Sequence, residues 1–370
     1  MRVAAQHLLG NCGGDLAESE QTGLFSHAGM KDNLKQQIAQ LVFERCHVAA
    51  SDRIGDLVSL LDGIGGDAGE ALLPVPGTAA LRIVTGTPAG GSPDYVSRLL
   101  ADKLSERLGQ AVLVENSATT GVAAWNTVAK SQPDGYLLSM LTGAFSARAA
   151  VAKALPYHPI RDFAFITLIS GYPMVVATAP NSPIRSFPDL IARAKAAPFD
   201  VTYGMNLPGS VHHLTGELIN VEAGTSLRGI PYRGNTQIVQ DLLGGRLDVM
   251  IETGTIAFAQ VNGGMLRGLA VSSRKRFVLE PDIPTIAETL PGFEVMSWLG
   301  LAAPGGTPRP IIDRLNWEVG EILKLPDIRE KLAIVGNVPM PSTPEQMQEY
   351  IERDAARWSR VVDIKGIEKY

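Results

Sequence analysis

Three turns in the sequence carry residue types that can hold an anion through the backbone: Pro88-Ala-Gly-Gly-Ser-Pro-Asp94, Asn206-Leu-Pro-Gly-Ser-Val-His212-His213 and Tyr232-Arg-Gly-Asn235. Each follows a predicted strand and opens a predicted helix. A helix start carries about half a positive charge and unpaired N–H donors, which suits a carboxylate or a phosphate. Small residues let such a ligand approach the main chain closely. Any one of these turns alone reads as an ordinary glycine-rich strand-to-helix connection. Three of them, drawn from two parts of the chain, point to a site. Arg148 and Arg233 are candidates to neutralise a ligand carboxylate. Asp94 either caps a first helical turn or faces the ligand. Glu252 either reaches the cleft or ends a strand in solvent.

Other chemistries find little support. Ala89-Gly-Gly-Ser lacks the G-x-G-x-x-G spacing of a dinucleotide site, and no G-x-x-x-x-G-K-[ST] loop occurs. Ser210 with His212 or His213 resembles a nucleophile and base, but no G-x-S-x-G elbow surrounds the serine. A Ser and a His at a helix start more often bind or cap. No C-x-x-C or Cys/His cluster is present, so neither a metal nor a cofactor is expected. Trp125, Trp298 and Trp317 read as packing residues.

The elements that must position these turns alternate. Leu81–Thr85, 111–115 and 136–141 read as strands, with helices over 95–108 and 121–130 between them. The pattern resumes with strands near 174–177, 201–203, 229–231, 249–252 and 266–271, and helices over 189–196, 212–222 and 236–243. Such alternation implies parallel sheets covered by helices, here in two lobes. The spacing predicts three surface helices over 311–323, 326–334 and 344–362. The longest charge-free stretch, 163–184, is interrupted by Gly171, Pro173, Pro180 and Pro183. It reads as two buried strands joined by a turn rather than a membrane span.

Composition sets the frame. The 370 residues are 45% hydrophobic and 19% charged, enough for a packed core. A net charge of −5 does not suggest a nucleic-acid or membrane-surface binder. Residues 1–78 hold five Lys/Arg against ten Asp/Glu and both cysteines, while the remaining 292 residues carry 28 of each charge. That block reads as a separate extension, helical over parts of 31–62 or poorly ordered.

From about Leu81 to Val362 the chain resembles the receptors of tripartite tricarboxylate transporters, the Bug-type receptors. The resemblance lies in Pro88-Ala-Gly-Gly-Ser-Pro-Asp94, Val114-Glu-Asn116, Val128-Ala-Lys-Ser-Gln-Pro-Asp-Gly-Tyr136, His213-Leu-Thr-Gly-Glu-Leu218, Pro231-Tyr-Arg-Gly234, Asp241-Leu-Leu-Gly-Gly-Arg-Leu-Asp-Val-Met250 and Pro281-Asp-Ile-Pro-Thr-Ile-Ala-Glu288, in that order. It implies a type II periplasmic binding fold, an α/β venus flytrap. Lobe one is then about 79–177 plus 298–370, lobe two 178–297, with strand crossings near Val176–Pro180 and Met296–Leu301. It implies no enzyme, but a receptor that closes on a small carboxylate and docks on membrane transporter subunits. By the same resemblance, one ligand carboxylate sits on Ala89, Gly90, Gly91 and Asp94. Gly209, Ser210 and His213 form a second turn, and Thr142 with Gly143, and Glu252 with Thr253, complete the pocket. Ser92, Arg148, Tyr232 and Gly234 are added from the turns and the arginine reading. Three departures stand out: Ser117-Ala-Thr-Thr replaces a glycine-rich stretch, Arg148 an Asn, and Glu252-Thr253-Gly an Asp-Asn-Leu.

The resemblance implies a periplasmic, monomeric protein that does not itself span a membrane. Residues 1–30 are glycine-rich and acidic and do not read as a secretory signal, so either the start lies elsewhere or this copy stays in the cytoplasm. The alternative reading is an intracellular ligand sensor built on the same fold.

Overall fold

The computed structural model describes residues 80–117 and 121–370; the extension expected over 1–78 and most of Ser117-Ala-Thr-Thr lie outside them. Strand β1 (Leu81–Thr85) is flanked in parallel by β2 (Val112–Asn116) and β3 (Leu137–Thr142). Helix α1 (Ser92–Leu108) joins β1 to β2, and α2 (Gly121–Ala129) joins β2 to β3. Helix α3 (Gly143–Val151) then leads to β4 (Phe163–Thr178). A second unit repeats the alternation: α4 (Phe187–Ala196), β5 (Thr202–Met205), α5 (Val211–Ala223), β6 (Arg228–Pro231), α6 (Asn235–Leu243), β7 (Val249–Thr253), α7 (Gly254–Asn262) and β8 (Arg267–Val271). Strand β9 (Met296–Pro304) returns to the first unit, followed by α8 (Arg309–Ile322), α9 (Pro326–Ile334), the short β10 (Val338–Pro339) and α10 (Pro344–Lys365).

Strand β4 serves both sheets. From Phe163 to Pro173 it runs antiparallel to β9, which also pairs with β3. From Met174 onward it pairs antiparallel with β7 and β8, and β7 and β6 flank β5 in parallel. The expected pair of strands joined by a turn is therefore one unbroken strand of 16 residues. Pro173 is the last residue in register with β9 and Met174 the first in register with β7. The end of a ladder tolerates a residue without an N–H, so proline does not break the strand there.

Two helices escaped the periodicity. In α3, Phe145, Ala147, Ala150 and Val151 are buried, and α7 buries Ala257 and Phe258. Short helices made mostly of small and apolar residues lack the polar face that makes helical spacing visible. Helix α10 is also more than a surface helix. Its Trp358, Val361 and Val362 join one buried cluster with Ala147, Ala150 and Val151 of α3 and Leu214 and Ile219 of α5. A second cluster, around Phe145, Tyr157, Phe163 and Trp298, backs the first unit. A third, around Val175, Ile238 and Phe258, lies on the other face of the second sheet. Burying such apolar side chains is the main favourable term in folding.

Candidate functional site

The carboxyl ends of the strands in both units border one cavity of about 360 Å³. Open α/β sheets place ligands at such strand ends. From the first unit come Gly86, Thr87 and Pro93 after β1, Gly121, Val122 and Trp125 of α2, Thr142 and Ala144 at the start of α3, and Arg148 in its last turn. From the second come the turn from Asn206 to His212 and Thr253. Tyr172 of β4 and Ser297 of β9 form the floor between them.

Three helices begin at this cavity. Helix α2 opens with Gly121, whose missing Cβ seats the Trp125 ring; a Cβ would come within 2.9 Å of it. A Cβ on Gly86 would lie 2.5 Å from the Gly121 Cα, so this junction requires two glycines packed backbone to backbone. Helix α3 is capped by Thr142, whose Oγ1 accepts the Ala144 amide at 3.3 Å. Gly143 packs on Ser297, whose Oγ would stand 2.8 Å from an added Cβ. Helix α5 is capped by Ser210, whose Oγ accepts the His213 amide at 3.3 Å. The first N–H groups of a helix have no partner within it, and here three such ends share one space.

Arg148 supplies the permanent positive charge of the wall. Its guanidinium rests on the Tyr370 ring, 5.0 Å from the centroid, and has no carboxylate partner among the described residues. The Tyr370 hydroxyl donates to the Pro208 carbonyl at 2.6 Å. One aromatic side chain thus touches the arginine of α3 and the turn that precedes α5.

A buried pair adjoins the same cavity. Glu252 is 2% exposed and Oε1 meets His212 Nε2 at 2.9 Å. The same oxygen accepts the Thr253 amide at 2.7 Å and the Thr253 hydroxyl at 3.0 Å. Burial alone would raise the Glu252 pKa, but His212 and Thr253 outweigh it and hold the carboxyl below its usual range. The Trp125 indole Nε1 and His212 Nδ1 are buried without a hydrogen-bond partner. Native proteins rarely leave such atoms unsatisfied.

Of the expected residues, Thr142, Arg148, Gly209, Ser210 and Thr253 line this cavity, with Gly143 and Glu252 packed directly behind. Ala89, Gly90, Gly91, Ser92 and Asp94 do not line it; Gly86, Thr87 and Pro93 do so in their place. The Gly90 amide donates to Asp94 Oδ2 at 2.8 Å, and Ser92 Oγ accepts from Asn337 at 3.2 Å. Asp94 also takes Asn116 Nδ2 at 2.9 Å and Arg98 at 2.9 Å, so it braces this turn from within. Burial opposes its ionisation, but Arg98, the Gly90 amide and Asn116 prevail and lower its pKa. Tyr232 and Gly234 also lie outside the wall, and the Tyr232 hydroxyl donates to Asp241 at 2.7 Å.

His213 sits behind its turn. Its Nδ1 accepts the Gly209 amide at 3.0 Å and its Nε2 lies 3.9 Å from Glu217. With Ser210 Oγ engaged by a backbone amide, no Ser–His side-chain pair forms here. His212, which lines the cavity, was not among the expected residues. Its signal was the register: once Ser210 is the cap, consecutive histidines must point to different sides of the helix start. Trp125, read as packing, both packs on Phe145 and lines the cavity.

No group of three metal-ligating side chains occurs among the described residues, and no described helix is long and apolar enough to cross a membrane.

Comparison with known proteins agrees with this architecture. Protein BugT of Bordetella pertussis is 35% identical over 290 residues, covering 77% of this chain and 89% of that protein. The solved periplasmic binding protein BugD is similar at TM-score 0.67 and 30% identity, over 79% of this chain and 99% of its own. An R. palustris protein solved with adipate is similar at TM-score 0.70 and 32% identity, over 79% and 99%. The fold is therefore the two-lobed periplasmic binding fold expected from the sequence. The profile described as the tripartite tricarboxylate transporter family receptor matches residues 96–367, and this chain belongs to that family of solute-binding proteins.

Proposed function

We propose that the cleft captures a small organic acid and presents it, enclosed between two lobes, to a tripartite tricarboxylate-type transporter. The observation that carries this reading is Arg148. The unpaired guanidinium lines the same cavity as the starts of α2, α3 and α5 and gives it a positively charged corner. A carboxylate is the ligand group such a corner suits. The adipate held by the R. palustris relative is an acid of this kind.

The lobes are taken as 79–177 plus 298–370 and 178–297, hinged on β4 and β9. Closure requires ligand contacts that are stronger in the closed than in the open form. The protein acts as a carrier and leaves its ligand unchanged. The family and the relative BugD support a place in the periplasm.

Thermal melting against a panel of mono-, di- and tricarboxylates tests the proposal. An acid at a hundred times its Kd stabilises the folded form by about 2.7 kcal/mol and raises the Tm. Arg148→Ala is expected to weaken binding by about tenfold or more, given the strength of charge-assisted contacts. A panel with no shift for any acid, confirmed by calorimetry, overturns the proposal.

A further inference from the structure

The guanidinium that lines the cavity is steadied by a ring rather than by a carboxylate. Arg148 is partly buried in the last turn of α3, and the Tyr370 ring lies 5.0 Å from it. The path that brings Tyr370 there is fixed by the backbone. Gly366 ends α10 in the left-handed region, at a φ of 60°, and turns the chain back. Ile367 then packs on the cluster shared by α3, α5 and α10. The Tyr370 amide donates to the Val151 carbonyl at 3.0 Å, and the Lys153 amide donates to the Tyr370 carbonyl at 3.1 Å. Val151 ends the helix that carries Arg148, so ring and guanidinium share one base.

The same side chain reaches the second unit. The Tyr370 hydroxyl donates to the Pro208 carbonyl at 2.6 Å. Gly209 makes room for it: a Cβ there would lie 2.6 Å from the hydroxyl oxygen, and its φ of 74° disfavours any side chain. The turn braced in this way, Asn206 to His212, lines the cavity as Arg148 does. A long arginine side chain loses much rotamer freedom when a ligand must immobilise it. A carboxylate partner would fix it beforehand but would also cancel its charge. A ring fixes it by cation–π attraction and leaves the charge and the N–H fork for the ligand.

We infer that Tyr370 is a positioning residue for ligand capture: it presets Arg148 beside the turn before α5, so that an acid meets a guanidinium already in place. This inference rests on the carboxylate reading of the cleft and adds a residue that sets its affinity. Calorimetric titration of the full chain with hexanoate, succinate, adipate and citrate tests it. For an acid that binds, Tyr370→Leu is expected to weaken binding about fivefold or more, the scale of one cation–π contact. Tyr370→Phe keeps the ring and is expected to recover most of that loss. In an Arg148→Ala background, Tyr370→Leu should change affinity by less than about twofold, because the partner it acts through is gone. Should Arg148→Ala leave no measurable binding, the contrast between the Phe and Leu variants decides alone. Unaltered affinity in Tyr370→Leu, equal losses for Leu and Phe, or equal losses in both backgrounds overturn the inference and leave the carboxylate reading standing. Binding of none of the four acids by the unaltered protein overturns both.

Discussion

The His213 imidazole accepts the Gly209 amide through Nδ1, so its ring is held with that nitrogen unprotonated. Burial lowers its pKa, Lys365 adds to the effect, and Glu217 opposes it. A folded-state pKa below the unfolded value of ~6.5 means that the unfolded chain takes up the proton first. The stability contributed by neutral His213 is then complete above about pH 6.5 and declines as the pH falls toward the folded value. Between about pH 7.5 and 5.5 the wild-type Tm should fall more than that of His213→Gln, whose amide cannot titrate. Parallel Tm profiles for the two proteins would remove this role. At this scale the sequence was partly legible. It located the turn and its cap, Ser210, but assigned the pocket to His213 when the neighbouring ring of His212 lines it. It also placed the ligand on Gly90 and Gly91, whose turn is braced by Asp94. Both differences concern the direction of a side chain or an amide within its turn, which residue type alone does not specify. Removing the brace with Asp94→Ala should cost about 1–3 kcal/mol, because the Gly90 amide and Asn116 lose a buried acceptor. Urea denaturation measures it.

At the scale of elements, the helix starts depend on glycine at points of contact. Gly121 seats the indole of Trp125 and itself touches Gly86; Gly143 seats Ser297. Gly121→Val would drive two methyl groups into the Trp125 ring. A cost of about 1–3 kcal/mol in stability is expected, as for overpacked cores, together with weakened ligand binding as the α2 start shifts. Melting and calorimetry on the same variant check both effects, and normal affinity in a destabilised variant would separate α2 from the site. Most elements were legible within a few residues because each sheet strand and amphipathic helix carries its own period. The β1 bounds agree residue for residue. Helices α3 and α7 were not legible because they are short and mostly small or apolar in sequence, which leaves no clear polar face. Strand β4 was read as two because Gly171 and Pro173 look like a turn, whereas they sit at the change of partner strand.

At the scale of the whole molecule, α10 ties distant parts together. Trp358 is 1% exposed and shares a cluster with α3 and with the core around α5. Trp358→Ala is expected to cost about 3–5 kcal/mol, the usual range for a buried tryptophan. Because the cluster draws from both sides of the cleft, the loss should lower one cooperative transition in a guanidinium melt rather than split it. Two separated transitions would show that the sides fold independently. The alternation of strands and helices made the two-unit plan legible from sequence. The descent of α10 into the interior was not, since an amphipathic helix announces that it has an apolar face without naming what covers it.

The continuity of β4 constrains how the walls of the cleft can approach one another. The backbone passes from register with β9 at Pro173 to register with β7 at Met174 and with β8 at Val175, and its irregularities fall at Phe165/Thr167, Leu168/Ser170 and Val176/Ala177. If the lobes close as proposed, their rotation is shared along these paired strands and their irregular positions. On that proposal, the give for closure lies within a hydrogen-bonded ribbon rather than in a loose linker.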